Sequence, residues 1–171
     1  MGAKRDIGHR EAQLRQLEGQ YGKKLYHLCM VYHPYNRRLR DELYSDVIYR
    51  IWQSLNRMNP DADPWPWIFS IASHAEKSMR RRRAFVWQRL TDADAELPDS
   101  NDADNAIVDT LYNLIDRLGQ TDRELIFLYL DNVPQHRIAA MLETNRSTVA
   151  SRIAAIKKKL KKIYEDEQED I

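Results

Sequence analysis

Residues 116–160 of the chain read DRLGQTDRELIFLYLDNVPQHRIAAMLETNRSTVASRIAAIKKKL. Apolar residues recur through this segment at intervals of three and four, which is the spacing of an amphipathic α-helix. Proline at position 134 predicts the first residue of a short helix, because a helix start does not use its missing N–H. The helix that follows has an apolar seam made of Val149, Ile153, Ile156, Leu160 and Ile163. The segment therefore predicts several helices packed around one core.

A break of about three residues, from Glu143 to Asn145, separates the last two of these predicted helices. Either Asn145 or Ser147 can cap the second helix by accepting an amide hydrogen bond. A short helix, a tight turn and a longer helix that is polar and basic on one face form a helix-turn-helix. Hydroxyls near its start can reach base edges, while its later lysines can lie along phosphates. An ordinary amphipathic helix with solvated lysines is the alternative.

Two further helices are predicted just before this motif. Thr121 and Glu124 have the spacing of a capping box, so a helix is expected to begin at Thr121. The helix before it is expected to end at Gly119, and its apolar face is made of Ile107, Leu111, Leu114, Ile115 and Leu118. The C-terminal part of the chain is therefore predicted to be a compact helical domain.

The N-terminal half also has helical periodicity, and strand signals are almost absent from it. One apolar face holds Leu25, Leu28, Cys29 and Tyr32; another holds Leu43, Val47, Ile51 and Leu55. Residues 59–64 read as a loop, and a third helix is expected to begin at Trp67 and to run into four arginines at 80–83. Residues 1–20 either extend the first helix or stay disordered.

Residues 91–105 are rich in Asp, Asn, Ala and Ser, which is typical of a flexible linker. We therefore expect an all-α protein with two small helical domains, residues 1–90 and 106–171, joined by this acidic linker.

Charge is distributed unevenly, although the formal net charge is only +1. Residues 1–90 carry 17 Lys and Arg against 9 Asp and Glu, whereas residues 91–120 carry 1 against 8. Residues 137–162 carry 8 basic side chains and one acidic side chain, Glu143. Two basic blocks separated by an acidic segment indicate two surfaces that meet a polyanion.

Other function classes find little support in the sequence. Cys29 is the only cysteine, which favours a reducing, cytoplasmic setting. His27 and His33 near it lack the partner thiol that a metal cluster would need, and we expect no metal or cofactor. An enzyme acting on nucleic acid would need a preorganised carboxylate, nucleophile or metal set, whereas the acidic residues gather in the linker and the tail. No apolar run approaches the ~20 residues of a membrane span, so we expect no membrane insertion.

Two segments of the chain resemble the extracytoplasmic-function (ECF) group of bacterial sigma-70-like factors. Residues 116–160 resemble region 4 of that family, and residues 41–58, DELYSDVIYRIWQSLNRM, resemble region 2. WPWIFSIA at 65–72, with its trailing arginines, continues the second match. The resemblance implies a protein that binds core RNA polymerase, brings it to a promoter and helps to open the DNA.

The resemblance also assigns roles to individual residues. Its implied polymerase contacts are Glu42, Ser45, Asp46, Tyr49 and Arg50. Its implied contacts to the −10 promoter element are Trp67, His74, Lys77, Ser78, Arg80, Arg81, Arg82 and Arg83. Its implied contacts to the −35 element are Arg146, Ser147, Thr148, Ala150, Ser151, Arg152, Lys157 and Lys158. A solvated helix face is the alternative for the charged residues, and a core position is the alternative for Trp67.

The chain departs from the family pattern at four of its positions. His74 stands where asparagine is common, and Ser78 stands where aspartate is common, so the preference at the −10 element is in doubt. Glu143 replaces the usual turn glycine, which costs about 1 kcal/mol if that residue is left-handed. Ala150 replaces a common lysine and removes one expected DNA contact.

Two other interpretations concern partners. A stand-alone helix-turn-helix regulator would bind an operator without polymerase, but it accounts only for residues 121–163. The resemblance also implies an anti-sigma factor, for which the apolar face of residues 43–55 is a reasonable binding surface.

Overall fold

The computed structural model describes residues 2–89 and 106–169, and helices make up its regular structure there. They are α1 (Gly2–Tyr32), α2 (Arg37–Ser54), α3 (Pro64–Arg89), α4 (Ala106–Asp116), α5 (Gln120–Leu130), α6 (Gln135–Met141) and α7 (Arg146–Glu169). A single 3₁₀ turn, Leu55–Arg57, follows α2. The all-α prediction is confirmed, whereas the predicted linker at 91–105 lies outside the described residues.

The helices fall into two compact units. The first contains most of α1 together with α2 and α3, and the second contains residues 30–34 together with α4 to α7. Each unit has its own buried apolar residues.

Residues 2–20 belong to the first helix, because α1 begins at Gly2. It lies against α2 through polar contacts as well as apolar ones. Tyr44 Oη donates to Glu18 Oε1 at 3.1 Å, and burial raises the pKa of Tyr44 to about 12. A Cβ on Gly22 would stand 3.0 Å from Tyr44 Oη, so glycine permits this close approach. Arg10 Nη2 donates to the Trp52 carbonyl at 2.6 Å near the end of α2.

The core of the first unit follows the predicted apolar spacing. Leu43, Val47, Ile51 and Leu55 are all at most 3% exposed. Asn36 begins α2, because its Oδ1 accepts a hydrogen bond from the Leu39 amide at 3.0 Å. The third helix begins at Pro64, three residues before the predicted start at Trp67, because proline suits the first helical position.

In the second unit, α7 packs against α4, α5 and α6. Leu125, Leu128, Ile138 and Val149 have no exposed surface. Glu124 is only 3% exposed, and its Oε1 accepts a hydrogen bond from Tyr32 Oη at 2.8 Å within the same unit. A buried carboxylate is tolerated where a donor satisfies it, so this bond accounts for an acidic side chain in the core.

Two predicted helix starts in this unit are wrong, that of α5 by two residues and that of α6 by one. Gly119 is the N-cap of α5, and its carbonyl accepts from the Asp122 and Arg123 amides at 3.0 Å. This earlier start places Glu124 at the fifth helical position, beyond the reach of a capping box, so the prediction for Thr121 fails. Pro134 is the N-cap of α6 rather than its first residue.

Replacing Leu43 by alanine is expected to lower the free energy of unfolding by about 2–5 kcal/mol, because it leaves a cavity at a fully buried position. Denaturant unfolding followed by circular dichroism measures the change. Glu42→Ala, at the exposed neighbouring position, is the control and should stay within about 0.5 kcal/mol of the parent. Equal effects of the two substitutions would contradict the assignment of the core.

The single thiol is expected to be unreactive in the folded protein. Cys29 is 0% exposed, and burial, followed by the negative charges of Glu76 and Asp41, raises its pKa to about 12. Because the thiolate is the reactive form, labelling by a disulfide reagent at neutral pH should follow global unfolding. Its rate should therefore rise with denaturant in parallel with the unfolded population. Rapid labelling without denaturant would show that Cys29 is accessible.

Candidate nucleic-acid interface

The turn between α6 and α7 sets the position of the second helix of the motif. Glu143 adopts a left-handed conformation with φ of 52°. This lets the Thr144 amide bond back to the Ala139 carbonyl at 2.9 Å and close the end of α6. Asn145 then caps α7, since its Oδ1 accepts from the Thr148 amide at 2.8 Å. Of the two possible caps, the structure selects Asn145; Ser147 Oγ instead donates to Asn145 Oδ1 at 2.7 Å.

The helix α7 has one apolar face and one polar face. Val149, Ile153 and Ile156 are at most 4% exposed and form the inner face. Helical spacing places Ser147, Ser151 and Lys158 on the opposite side, where all three are exposed. Arg146 and Ala150 are also exposed, whereas Thr148 is half-buried. The outward face therefore carries small residues in its first two turns and a cation beyond them.

Two cations of α7 have partners on α5. Arg152 Nη2 lies 2.7 Å from Asp122 Oδ1, and both side chains are partly exposed. Lys157 Nζ donates to Tyr129 Oη at 2.6 Å and lies 4.3 Å from the centre of the Tyr129 ring. These contacts place Arg152 and Lys157 on the flanks of α7, beside the outward face. Sequence spacing alone did not distinguish them from Lys158.

The third helix presents a second candidate surface, in the first unit. Trp67, His74 and Arg81 are seven residues apart and therefore lie on one side of α3. His74 and Arg81 are exposed, and Trp67 is half-buried. His74 Nδ1 lies 2.7 Å from the Ser70 carbonyl, which only accepts, so Nδ1 is the donor. The half-buried Lys77 and Ser78 lie between His74 and Arg81 in the sequence.

The four consecutive arginines do not share one face, because neighbouring residues of an α-helix are about 100° apart. Arg81 lies on the side of His74, while Arg80 and Arg82 are exposed on either flank. Arg82 Nη2 is 3.9 Å from Asp46 Oδ2 on α2. Arg83 is half-buried on the inner side. The structure therefore singles out Arg81 within a run that the sequence presented as one patch.

The outer side of α2 holds three of the predicted polymerase contacts. Glu42, Ser45 and Tyr49 are exposed on it, and Tyr49 is 56% exposed. Gln53, which sequence reasoning missed, joins this side by donating from Nε2 to Tyr49 Oη at 2.8 Å. The sequence could have indicated Gln53, because residues four apart are neighbours on the surface of a helix.

The other two predicted polymerase contacts form an ion pair. Arg50 Nη2 lies 3.1 Å from Asp46 Oδ2, and both side chains are less than one-third exposed. Beside them, α1 and α2 border an open groove of about 410 Å³ within the first unit. Its lining residues are Leu14, Glu18, Tyr44, Ser45, Ile48, Tyr49 and Trp52.

The structure adds three residues to the candidate surface of the second unit. His136 and Arg137, in the first turn of α6, are exposed, as is Ala154 on α7. The first helix of a helix-turn-helix crosses the DNA backbone. The motif could therefore have indicated His136 and Arg137 as candidate contacts.

In residues 2–89 and 106–169, no three His, Cys, Asp or Glu side chains are arranged to hold a metal ion. No helix within those same ranges is long and apolar enough to cross a membrane.

Comparisons with known proteins bear on both units. The family model described as sigma-70, region 4 matches residues 109–160. The chain is similar to the sigma factor RpoE of Bartonella quintana, solved in complex with the anti-sigma factor NepR, at 16% identity over 90% of this chain and 97% of that one, with a TM-score of 0.73. It is also similar to CnrH, solved in complex with the cytosolic domain of CnrY, at 18% identity over 91% and 90% of the two chains, with a TM-score of 0.66. No curated protein sequence matches the chain significantly.

At these identities the solved structures establish the fold. The region 4 match covers most of α4, all of α5 and α6, and the first part of α7. It therefore includes the helix-turn-helix that α6 and α7 form. The family model confirms the resemblance of residues 116–160 to region 4, and the solved structures agree with the all-α fold of both units.

Replacing Glu143 by glycine is expected to raise the free energy of unfolding by roughly 1 kcal/mol, because glycine adopts a left-handed conformation without a Cβ penalty. Thermal or denaturant unfolding measures the gain. Asn132→Gly is the matched control, since Asn132 has a similar φ of 59° and asparagine tolerates that conformation better. A loss of stability for Glu143→Gly, or an equal gain for Asn132→Gly, would contradict the expectation.

Proposed function

We propose that this chain is a sigma-70-like factor of the ECF group and that it acts as an alternative transcription initiation factor. It binds core RNA polymerase, directs it to specific promoters and assists DNA melting. The observation that carries the proposal is the pairing of two surfaces in one chain. One is the outward face of α7, within the region 4 match, and the other is the aromatic and basic side of α3.

The second unit binds the −35 element through α7 in the major groove. Arg146 lies at the start of the helix, where a long donor reaches a guanine edge or a phosphate. Ser147, Thr148 and Ser151 follow within the next turn and a half, and their hydroxyls are able to contact bases. The lysines at 157 and 158 lie further along, where they contact phosphates.

The absence of a side chain beyond Cβ at Ala150 brings the helix close to the base edges. The same holds for Ala154, one turn further along the outward face.

The first unit binds the −10 element through the outward side of α3. Bases unstacked during melting need aromatic surfaces, and stacking contributes about 1–3 kcal/mol per base. Trp67 and His74 supply two rings at the start and the middle of this side. Arg81 then contacts the DNA backbone, with Arg80 and Arg82 on its flanks. Lys77 and Ser78 complete the contact surface.

The polymerase surface is the outer side of α2. Glu42, Ser45 and Tyr49 form it, and Gln53 extends it by one turn. The pair formed by Asp46 and Arg50 lies at its border. Tyrosine is enriched in protein interfaces and among the residues that contribute most to binding.

An inhibitory protein is a second partner of the first unit. The solved RpoE structure holds a sigma factor together with the anti-sigma factor NepR. In this chain the groove between α1 and α2 presents apolar surface from Leu14, Ile48 and Trp52 next to Tyr49. An anti-sigma factor bound there covers part of the polymerase surface. We place the whole cycle in the cytoplasm, where the polymerase acts.

Promoter-directed transcription with purified core RNA polymerase tests the function. Templates drawn from a genomic library should yield specific, salt-sensitive initiation that requires this chain. A gel shift with the chain alone is run in parallel. Operator binding without polymerase, together with no initiation on any template, would favour the stand-alone regulator instead.

The substitution Arg81→Ala is expected to reduce initiation and to lower the slope of log affinity against log salt by about 0.9, the value for one phosphate contact. Run-off transcription and open-complex binding at several salt concentrations measure both. Arg83→Ala removes the same charge from the half-buried inner side of α3 and is the control. If Arg81→Ala and Arg83→Ala reduce initiation equally, DNA binding depends on net charge and not on the outward side of α3.

A further inference from the structure

Asp122 on α5 lies against the flank of α7. It lies in the first turn of α5, where the exposed amides of a helix start stabilise a carboxylate. Its own amide donates to the Gly119 carbonyl at 3.0 Å. Its Oδ1 lies 2.7 Å from Arg152 Nη2. The carboxylate therefore occupies the position, relative to this guanidinium, that an oxygen of a DNA phosphate would take.

Arg152 itself is placed where a phosphate contact is expected. It follows Ser151 of the outward face, but its guanidinium is directed along the flank toward α5. Contacts at the flanks of a recognition helix meet phosphates, while its centre meets base edges. The Arg152 side chain is 42% exposed and that of Asp122 is 30% exposed, so an ion from solution can compete for either.

We propose that Asp122 is an internal competitor of DNA phosphate for Arg152, and that it weakens binding of the chain to DNA. The inference rests on the proposed function, in which α7 faces promoter DNA. Before Arg152 binds a phosphate, it leaves Asp122, and the carboxylate is left close to the polyanion. Both steps oppose binding. Because phosphates carry no sequence information, the penalty applies to every duplex and restrains the free chain from binding DNA at random.

The size of the effect follows from the exposure of the pair. Partly exposed ion pairs contribute little to stability, and the corresponding ratio of affinities is about two- to fivefold. Asp122→Asn keeps the shape of the side chain and removes its charge. It is therefore expected to tighten binding of a duplex by the chain alone about two- to fivefold at low salt.

A double-mutant cycle tests the proposal, with fluorescence anisotropy of a labelled promoter duplex as the measurement. The four proteins are the full chain, Asp122→Asn, Arg152→Gln and the double variant. The gain from Asp122→Asn is expected with Arg152 present and is expected to disappear in the Arg152→Gln background. Asp116→Asn is the matched control, because Asp116 pairs with Arg123 at 2.9 Å and its removal changes the net charge equally.

Several outcomes would overturn the proposal. An equal gain in the Arg152→Gln background, or from Asp116→Asn, would show a general charge effect. Weaker binding by Asp122→Asn, or no binding by it at all, would show that the pair only braces α5 against α7. Thermal unfolding of each variant confirms that the measured protein is folded. Initiation with core polymerase is assayed separately, so that failure of the sigma function is distinguishable from failure of this competition.

Discussion

The second unit depends on the burial of one face of α7. Val149, Ile153 and Ile156 repeat at intervals of four and three, and the helices around them, α4 to α6, pack against that face. This burial fixes the rotation of α7 about its own axis, because a turn of 100° would bring charged residues into the core. Burial of this seam also determines the outward face, because the residues on the opposite side of the helix are then exposed to solvent. The proposed DNA-binding surface is thus positioned by side chains that face the core.

The same logic applies to the first unit, where the buried stripes of α2 and α3 orient two different surfaces. Leu43, Val47 and Ile51 direct Tyr49 outward, and Ala72 and Ala75 direct His74 outward. The alanines keep α3 close to its neighbours, so the outward residues are carried on a rigid element. Sites on helices with buried backs are held more accurately than sites on loops. Each unit therefore combines a core that specifies orientation with a surface that remains available to partners.

Much of the fold was predictable because apolar periodicity reports burial directly. The predicted stripes from Leu43 to Leu55 and from Val149 to Ile156 are the observed cores. The helix ends at Gly119 and Pro134 were less predictable, because several neighbouring residues can cap a helix and packing selects among them. The state of residues 1–20 depended on contacts such as that of Arg10 with the Trp52 carbonyl, which no local pattern shows. For the candidate site, the sequence placed the candidate residues on helices but did not show which cations have partners, since Asp122 and Arg152 are 30 residues apart.

The arrangement of the arginines on α3 has a consequence for how the chain tolerates change. Arg80 to Arg83 encircle the helix, one about every 100°, and Arg81 occupies the outward position. An insertion or deletion of one residue earlier in the helix would rotate its end by about 100° and bring an adjacent arginine to that position. The repeated arginine thus preserves the charge of the outward side when one residue is inserted or deleted earlier in the helix. A single arginine would be rotated away from the outward side by such a change. Four arginines in succession keep a cation on the outward side for any rotation of the helix end.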